Sequence, residues 1–565
     1  MRTLSRRSRL DALVVLFATL VVGMPALLTH DGFMYDYTNH LWLVWVQSHA
    51  ISSAGVPTYF LHTTDATGGV FNPFFMFYGG TLYALTGAVA AALGGSARIA
   101  YVGVILASIA ASYGGIVWLA RQLGARSWTA HAPAVTFVAS AYYVTNLYGR
   151  GAWPEFVAIS AIPLLVAAGT WIARAQRLKA VPCVLFVGAA VIWSGSHNIT
   201  LAWGAVVVVI TVVTLRLLLA RPLVAGRHRV GLLLGLLALA ICVNAWFLVP
   251  NVLYASDTLV AASSPFSWDL TAGFNSPRAL FDPLRYVPLR SSTPALYVQL
   301  PIWLLVWALV AIAVPAARPA STLRRAAAAC AIVLTGLLVL IMVKPLWQFV
   351  PAPLRLIQFP FRLNSYVALL AAGLVLVAVL ALQDVVSARR RRLLAGALAG
   401  AMTASVGLCL WQLWIPNTHA ISSYDDVRDA LVSETVPPRT WYDTGVYRDG
   451  SAAVVPVVPG RSLVIDPAII RGNRAKLVVT PPPGREPFTV NLGGGPGVVA
   501  VDGLERVGRT PLGFTVAKRP TAGSGPLPVT IGVAGASTAG TAVSLLALLG
   551  LAVTAVAGAF RRRRL

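Results

Sequence analysis

Long apolar runs dominate the chain, and their length sets the elements they predict. Runs long enough to span a bilayer, which takes about 20 residues, centre on 12–28, 99–120, 129–147, 156–173, 181–194, 200–218, 230–249, 301–316, 326–343, 364–383, 393–414 and 533–559. They predict a polytopic α-helical membrane protein with about 12 transmembrane helices. A thirteenth run, 73–94 (PFFMFYGGTLYALTGAVAAALG), is just as apolar. Before the last run the pattern changes. Residues 415–532 are rich in Pro, Gly, Val and Thr and contain alternating pieces such as AKLVVT and PFTVNL, the period-two signature of half-buried strands. The expected organisation is a transmembrane domain over 1–415, with a first outer loop at 29–98 carrying juxtamembrane helices, an extracytoplasmic β-rich domain over 416–532, and a final membrane helix with a basic tail over 533–565.

Charge assigns the thirteenth run. Lys and Arg collect on the cytoplasmic side of membrane proteins. If 73–94 does not cross, one face receives the N-terminal arginines, Arg121/Arg126, Arg174/Arg177/Lys179, the 216–229 group, Arg318/Arg324/Arg325, Arg389 to Arg392 and Arg561 to Arg564, together 24 of the 44 basic residues. If it did cross, every cluster after the first would change sides. The run therefore reads as a re-entrant or juxtamembrane helix. Both termini are then cytoplasmic, and the outer face carries loops at 29–98, 148–155, 195–199, 250–300, 344–363 and 415–532. Arg2, Arg6, Arg7 and Arg9 before 12–28 resemble a signal peptide, but the run is long for one and no small-x-small cleavage site follows, so it reads as an uncleaved first helix.

Composition excludes several classes. With 57% hydrophobic and 11% charged residues and a mean hydropathy of +0.74, the chain is not a water-soluble domain. A formal charge of +25 would mark a nucleic-acid binder in a soluble protein; here topology accounts for it, and no nucleic-acid partner is expected. Cys183, Cys242, Cys330 and Cys409 lie in apolar stretches without metal or redox spacing, so they form neither a disulfide framework nor a zinc site.

The outer loops of the membrane part hold seven acidic residues: Asp31, Asp36, Asp65, Glu155, Asp257, Asp269 and Asp282. Ionisable groups near membrane depth are costly and mark functional sites. The densest group is HDGFMYDYTNHLWLVW, His30 to Trp45. There Asp36 and His40, four apart, share a helix face. Partial burial would raise the Asp36 pKa and suit it to general-base work on a sugar hydroxyl, while Asp31 is also placed to cap a helix. YGRGAWPE (Tyr148 to Glu155) puts Arg150 and Glu155 at an interhelical hinge, where the helix dipole favours the carboxylate in any case. His197, in SGSHN, either binds a substrate hydroxyl or caps a helix. RLIQFPFR, Arg355 to Arg362, sets cations on the outer face against the usual bias. That points to an anionic partner such as a lipid phosphate, or to snorkelling towards headgroups.

The order of these parts resembles the GT-C superfamily of polytopic glycosyltransferases, which take sugars from polyprenyl-phosphate carriers. It looks most like bacterial membrane proteins labelled 6-pyruvoyl-tetrahydropterin synthase-related, a label without implications for pterin chemistry. The matching residues are Asp36-x-x-x-His40-Leu41, Gly55-Val56-Pro57, Asn72-Pro73-Phe74-Phe75-Met76-Phe77-Tyr78, Gly149-Arg150-Gly151 with Glu155, and Gln358-Phe359-Pro360-Phe361-Arg362. The resemblance covers roughly residues 10–415 and implies a catalytic base in the first outer loop, on Asp36 with Asp31 as alternate, roofed by juxtamembrane helices. It further implies an inverting enzyme that moves a sugar from a polyprenyl-phosphate-sugar donor to a cell-envelope glycan or lipid acceptor on the extracytoplasmic face of the cell membrane. Arg362 and Arg355 would hold the lipid phosphate, and His40, Arg150, Glu155, His197 and Gln358 would contact substrate. The first loop contains no Asp-Asp or Asp-x-Asp pair, so no divalent metal or other cofactor is assigned, although metal dependence stays open. A composition rich in Ala, Val, Leu and Arg fits a high-GC bacterium and an actinobacterial envelope. Two other readings stand beside the enzyme: a flippase or transporter of lipid-linked saccharides, whose mark is charge near helix centres, and a non-catalytic envelope assembly protein displaying the β-rich domain.

Overall fold

The computed structural model describes residues 6–28, 37–63, 70–72, 74–126, 128–219, 227–254, 322–355, 359–385, 462–463, 473–493, 499–510 and 514–563, with single positions at 274, 357, 389, 396 and 400. The run at 301–316 lies outside these residues, as does 393–414 apart from positions 396 and 400, and so do Asp31, Asp36, Asp65, Asp257, Asp269, Asp282, Gln358 and Cys409.

The helices are α1 (Arg6–Leu28), α2 (Tyr37–Ala54), α3 (Gly80–Ala92), α4 (Ala97–Gln122), α5 (Ala132–Val138), α6 (Ala141–Val144), α7 (Trp153–Arg174), α8 (Ala180–Ser196), α9 (Asn198–Leu219), α10 (Arg227–Val243), α11 (Ala245–Tyr254), α12 (Thr322–Met342), α13 (Ala352–Arg355), α14 (Asn364–Val385) and α15 (Gly535–Arg563). Among the described residues six are long and apolar enough to cross a membrane, or seven if a bent pair counts as one span. Two of the twelve expected runs are not single continuous helices. The run 129–147 is a 3-10 turn, α5, α6 and a π turn in succession. The run 230–249 breaks at Asn244 into α10 and α11, bent by 79°. Helix α3 has 13 residues, about 20 Å of helix.

The packing is inside-out relative to a water-soluble protein. Leu217 is 78% exposed and Leu546 69%, while Gln47, Ser112, Ser160 and Asn244 are fully buried. Apolar groups face outward where lipid would lie, and polar groups bond to one another inside. At the α10–α11 break, Ser544 of α15 accepts the Trp246 N–H at 2.8 Å and donates to Cys242 O at 3.2 Å. One hydroxyl thus restores two backbone partners that the bend removes. Gly540 permits the approach, because a Cβ there would meet Ala245 O at 2.5 Å. Asn244 itself accepts from Thr81 Oγ1 at 2.6 Å and donates to Ser194 Oγ and Val191 O, tying α3 and α8 to the bend.

The β region consists of two sheets. Strands β4 (Arg474–Val479), β9 (Leu527–Val533) and β6 (Val499–Asp502) form one, in the order β4-β9-β6 and all antiparallel. The second includes β3 (Ser462–Leu463), β5 (Phe488–Gly493), β7 (Glu505–Arg509) and β8 (Phe514–Lys518), and it continues through β5 into β2 (Val70–Asn72) and β1 (Leu61–Thr63) of the first loop. The alternating AKLVVT and PFTVNL pieces become β4 and β5. The recruitment of β1 and β2 was not legible, because β2 pairs with β5 about four hundred residues away at Phe71 opposite Leu492. Tyr59, Phe60 and Met76 complete the core with Leu477, Val490, Leu492, Val529 and Ile531, so the β region grows out of the first loop as well as the C-terminal segment.

Candidate functional site

Three of the loops assigned to one face meet at Glu155. The first is built at the end of the broken 129–147 run. Arg150 N–H donates to Thr145 O at 2.8 Å, five residues back, which closes a π turn over Thr145–Gly149. Such turns widen a helix and re-aim the following side chain. Gly151 then takes φ +69°, open to glycine at no steric cost, and α7 starts at Trp153 with Pro154 in its first turn and Glu155 behind it.

Glu155 has partners on both of its oxygens. Its Oε1 accepts from Tyr142 Oη at 2.7 Å, and its Oε2 faces Arg150 Nη1 at 3.0 Å and Arg362 Nε at 3.4 Å. Arg150 Nη1 also donates to Asn146 Oδ1 and Tyr142 Oη, both at 2.9 Å. The side chains of Arg150, Glu155 and Arg362 are 7, 4 and 12% exposed. Two guanidiniums therefore share one carboxylate in a nearly dry setting, leaving a net positive charge. Aromatic faces support both cations. Arg150 lies 5.4 Å from the Phe361 centroid and Arg362 5.5 Å from that of Phe359, and the two rings stack at 5.1 Å. Guanidinium planes tolerate this better than an ammonium because they are weakly hydrated.

Beside the cluster lies a narrow cleft lined by Glu155, Arg362, Ile199, Thr200, Trp203, Ile357, Ser365 and Tyr366. Its wall is fixed by Tyr366 Oη donating to Thr200 O at 2.8 Å and Trp203 Nε1 donating to Leu354 O at 2.9 Å. His197, between α8 and α9, accepts the Thr200 N–H at Nδ1, so its neutral ring carries the proton on Nε2.

An aromatic chamber continues from His197. Tyr78 lies edge-on to His197 at 5.8 Å and stacks on His40 at 6.2 Å. His40 Nδ1 pairs with Tyr83 Oη at 2.5 Å, and Trp153 sits between Tyr83 and Tyr101. Burial, reinforced by the positive charge of Arg150 and neighbouring groups, pushes both imidazoles down to about 3, so both are neutral at physiological pH. The ordinary value is 6.5. Below it an unfolded chain binds protons that the folded histidines refuse, so the folded state loses stability as pH falls from 6.5 towards 3. Melting temperatures of purified protein should fall across that window, and His40→Gln with His197→Gln should flatten the decline; equal slopes would remove these residues from its cause.

The structure thus joins Arg150, Glu155 and Arg362 directly, with His197 and His40 next to them. Glu155, expected to orient a sugar hydroxyl, lines the cleft while its oxygens also hold Tyr142 and face two arginines, the countercharges that an acid this buried needs. Arg362 does not snorkel outward, being buried against Glu155 and Phe359. Arg355, at the end of α13, is absent from the cleft lining. Asn198, the sequon residue, donates to Phe77 O at 3.3 Å. Among the described residues no three His, Cys, Asp or Glu side chains gather as a metal site would need, and Asp31 and Asp36 lie outside them. Sequence reading missed Tyr142 and Asn146, although Tyr142, Asn146 and Arg150 recur every four residues, the spacing of one helix face. It also missed Thr200, Trp203 and Tyr366, which carry no signal in an apolar run.

No described protein family and no curated protein matches the sequence. Among solved structures, the chain is similar to the arabinofuranosyltransferase AftD from mycobacteria, determined by single-particle cryo-EM, with 18% identity and a TM-score of 0.41 over 74% of this chain. The chain spans 27% of the length of that protein.

Proposed function

We propose that the protein is a membrane glycosyltransferase that moves a sugar from a polyprenyl-phosphate carrier to a cell-envelope glycan or lipid acceptor on the outer face of the membrane. The observation that supports this reading is the cationic excess at the cleft, where Arg150 and Arg362 share Glu155 next to an apolar wall of Ile199, Trp203 and Ile357 and hydroxyls of Thr200, Ser365 and Tyr366. A ligand anionic at one point, hydroxylated on one side and apolar on the other matches that lining. Asp36, one residue before α2, takes the proton of the acceptor hydroxyl. The acceptor oxygen bonds to the anomeric carbon as the bond from that carbon to the phosphate oxygen breaks, and the departing polyprenyl phosphate keeps the electron pair beside Arg362. A single displacement inverts the anomeric centre. Arg355 supplies a further cation on the lipid's approach, and His197, His40 and Gln358 order the sugar.

The test is turnover of labelled polyprenyl-phosphate sugars by protein in nanodiscs, with envelope extract as acceptor and Asp36→Asn beside wild type. Label should pass from lipid to acceptor with wild type alone. Equal transfer by the variant would remove Asp36 as the base. No transfer by wild type from any donor would overturn the glycosyltransferase reading.

A further inference from the structure

Pro57 to Tyr59 bridge α2 and the β region, and two side-chain amides take their backbone groups. On one edge Gln47 of α2 donates from Nε2 to Thr58 O at 2.7 Å and accepts the Thr58 N–H at Oε1 at 3.0 Å. On the other edge Asn473, one residue before β4, accepts the Tyr59 N–H at Oδ1 at 2.7 Å and donates from Nδ2 to Pro57 O at 3.0 Å. Successive residues thus turn their polar groups to opposite sides, as a strand does between two neighbours; here both neighbours are carboxamides. Gln47 is fully buried and pressed on Gly87 of α3, where a Cβ would come within 2.5 Å of it. The same segment reaches the roof of the aromatic chamber, because Phe75 N–H donates to Tyr59 O at 3.2 Å in the turn just before Tyr78. It also reaches the last helix, where the Tyr59 hydroxyl bonds to Thr541.

We propose that the C-terminal β region is a positioning element of the outer-face site, with Asn473 acting through residues 57–59 and Gln47 to set the placement of α2 and of His40 upon it. The chain of contacts is short and directional. Gln47 and His40 are two turns apart on one rigid helix, about 10 Å. The Gln47 amide is buried and has its partners only while Thr58 stays in register. Asn473 fixes that register from the far edge without touching the cleft or the aromatic chamber, so it is a positioning residue, and its effect travels through the backbone it holds.

Hydrogen exchange on the full chain in nanodiscs tests this independently of any transfer activity. In Asn473→Ala, exchange should rise about thirtyfold, the net worth of roughly two hydrogen bonds, at 58–60 and also along α2, while β4 and β9 keep their protection. Asn473→Asp, which keeps the acceptor for Tyr59 N–H and loses the donor to Pro57 O, should give a smaller rise. A rise confined to 58–60, with α2 unchanged in either variant, would overturn the proposal. If the alanine variant unfolds the β region, the aspartate variant decides by the same reading of α2. Where wild type transfers sugar, Asn473→Ala should lower kcat about tenfold at unchanged donor KM. Unchanged kcat would overturn the positioning role, whereas absent wild-type transfer would count only against the proposed reaction.

Discussion

Glu155→Gln is expected to destabilise the protein by about 3–5 kcal/mol, the usual cost of removing one partner from a buried ion pair. The reason lies in the count of charges. Arg150 and Arg362 converge on one carboxylate oxygen, at 3.0 and 3.4 Å, and their positive charges are tolerable together only because the carboxylate stands between them. Glutamine keeps the shape and leaves two buried guanidiniums facing each other without a countercharge. The measurement is the melting temperature of the purified variant, beside Arg150→Gln and the double variant Glu155→Gln/Arg150→Gln. The double variant returns the cluster to its wild-type net charge of one positive unit, ending the repulsion between the two guanidiniums, and should recover part of the loss. A single variant that melts with wild type would mean that Glu155 is not the charge that holds this cluster.

Arg362→Gln should behave in the opposite way. It removes the second cation and leaves Glu155 with Arg150 and Tyr142, a balanced pair, so the fold should persist. What disappears is the positive charge that lines the cleft. If that charge meets a departing phosphate, kcat should fall on the order of 10²–10³-fold, the range found when one preorganised donor is removed from a developing oxyanion. Arg362→Lys should recover little, because an ammonium has no planar fork to lie on Phe359 while facing Glu155. Steady-state kinetics with the labelled donor, alongside melting temperatures, separate the two effects. A variant with full kcat and wild-type stability would take Arg362 out of the leaving-group role.

The sequence revealed more of the site than of the fold around it. Arg150, Glu155, His197 and Arg362 stood out because each is a polar or charged residue at the end of an apolar run, where cost marks function. Residues of their three loops lie together around Glu155. Tyr142 and Asn146 were harder to see, because they lie within an apolar run that reads as one continuous helix. A π turn and two short helices replaced that helix, and local propensity gives little warning of such a break. The Asn244 bend was hidden for a related reason. Its lost backbone partners are supplied by Ser544 of α15, about three hundred residues away.

What the sequence determined by itself was the solvent: 57% hydrophobic residues in runs of bilayer length leave lipid as the only medium for the outer surface. It also determined where charge concentrates, at the ends of the apolar runs, since a charge near lipid is costly to keep without a partner. Tertiary structure alone decided the partners. Glu155 met two arginines, the first loop gave strands β1 and β2 to a sheet made mostly of C-terminal residues, and Asn473 came to hold Pro57 and Tyr59. Each of these pairings joins residues that are distant in sequence and uses donors or acceptors common along the chain. A polar group in a dry interior must find a partner, but the requirement does not name one, and packing makes the choice.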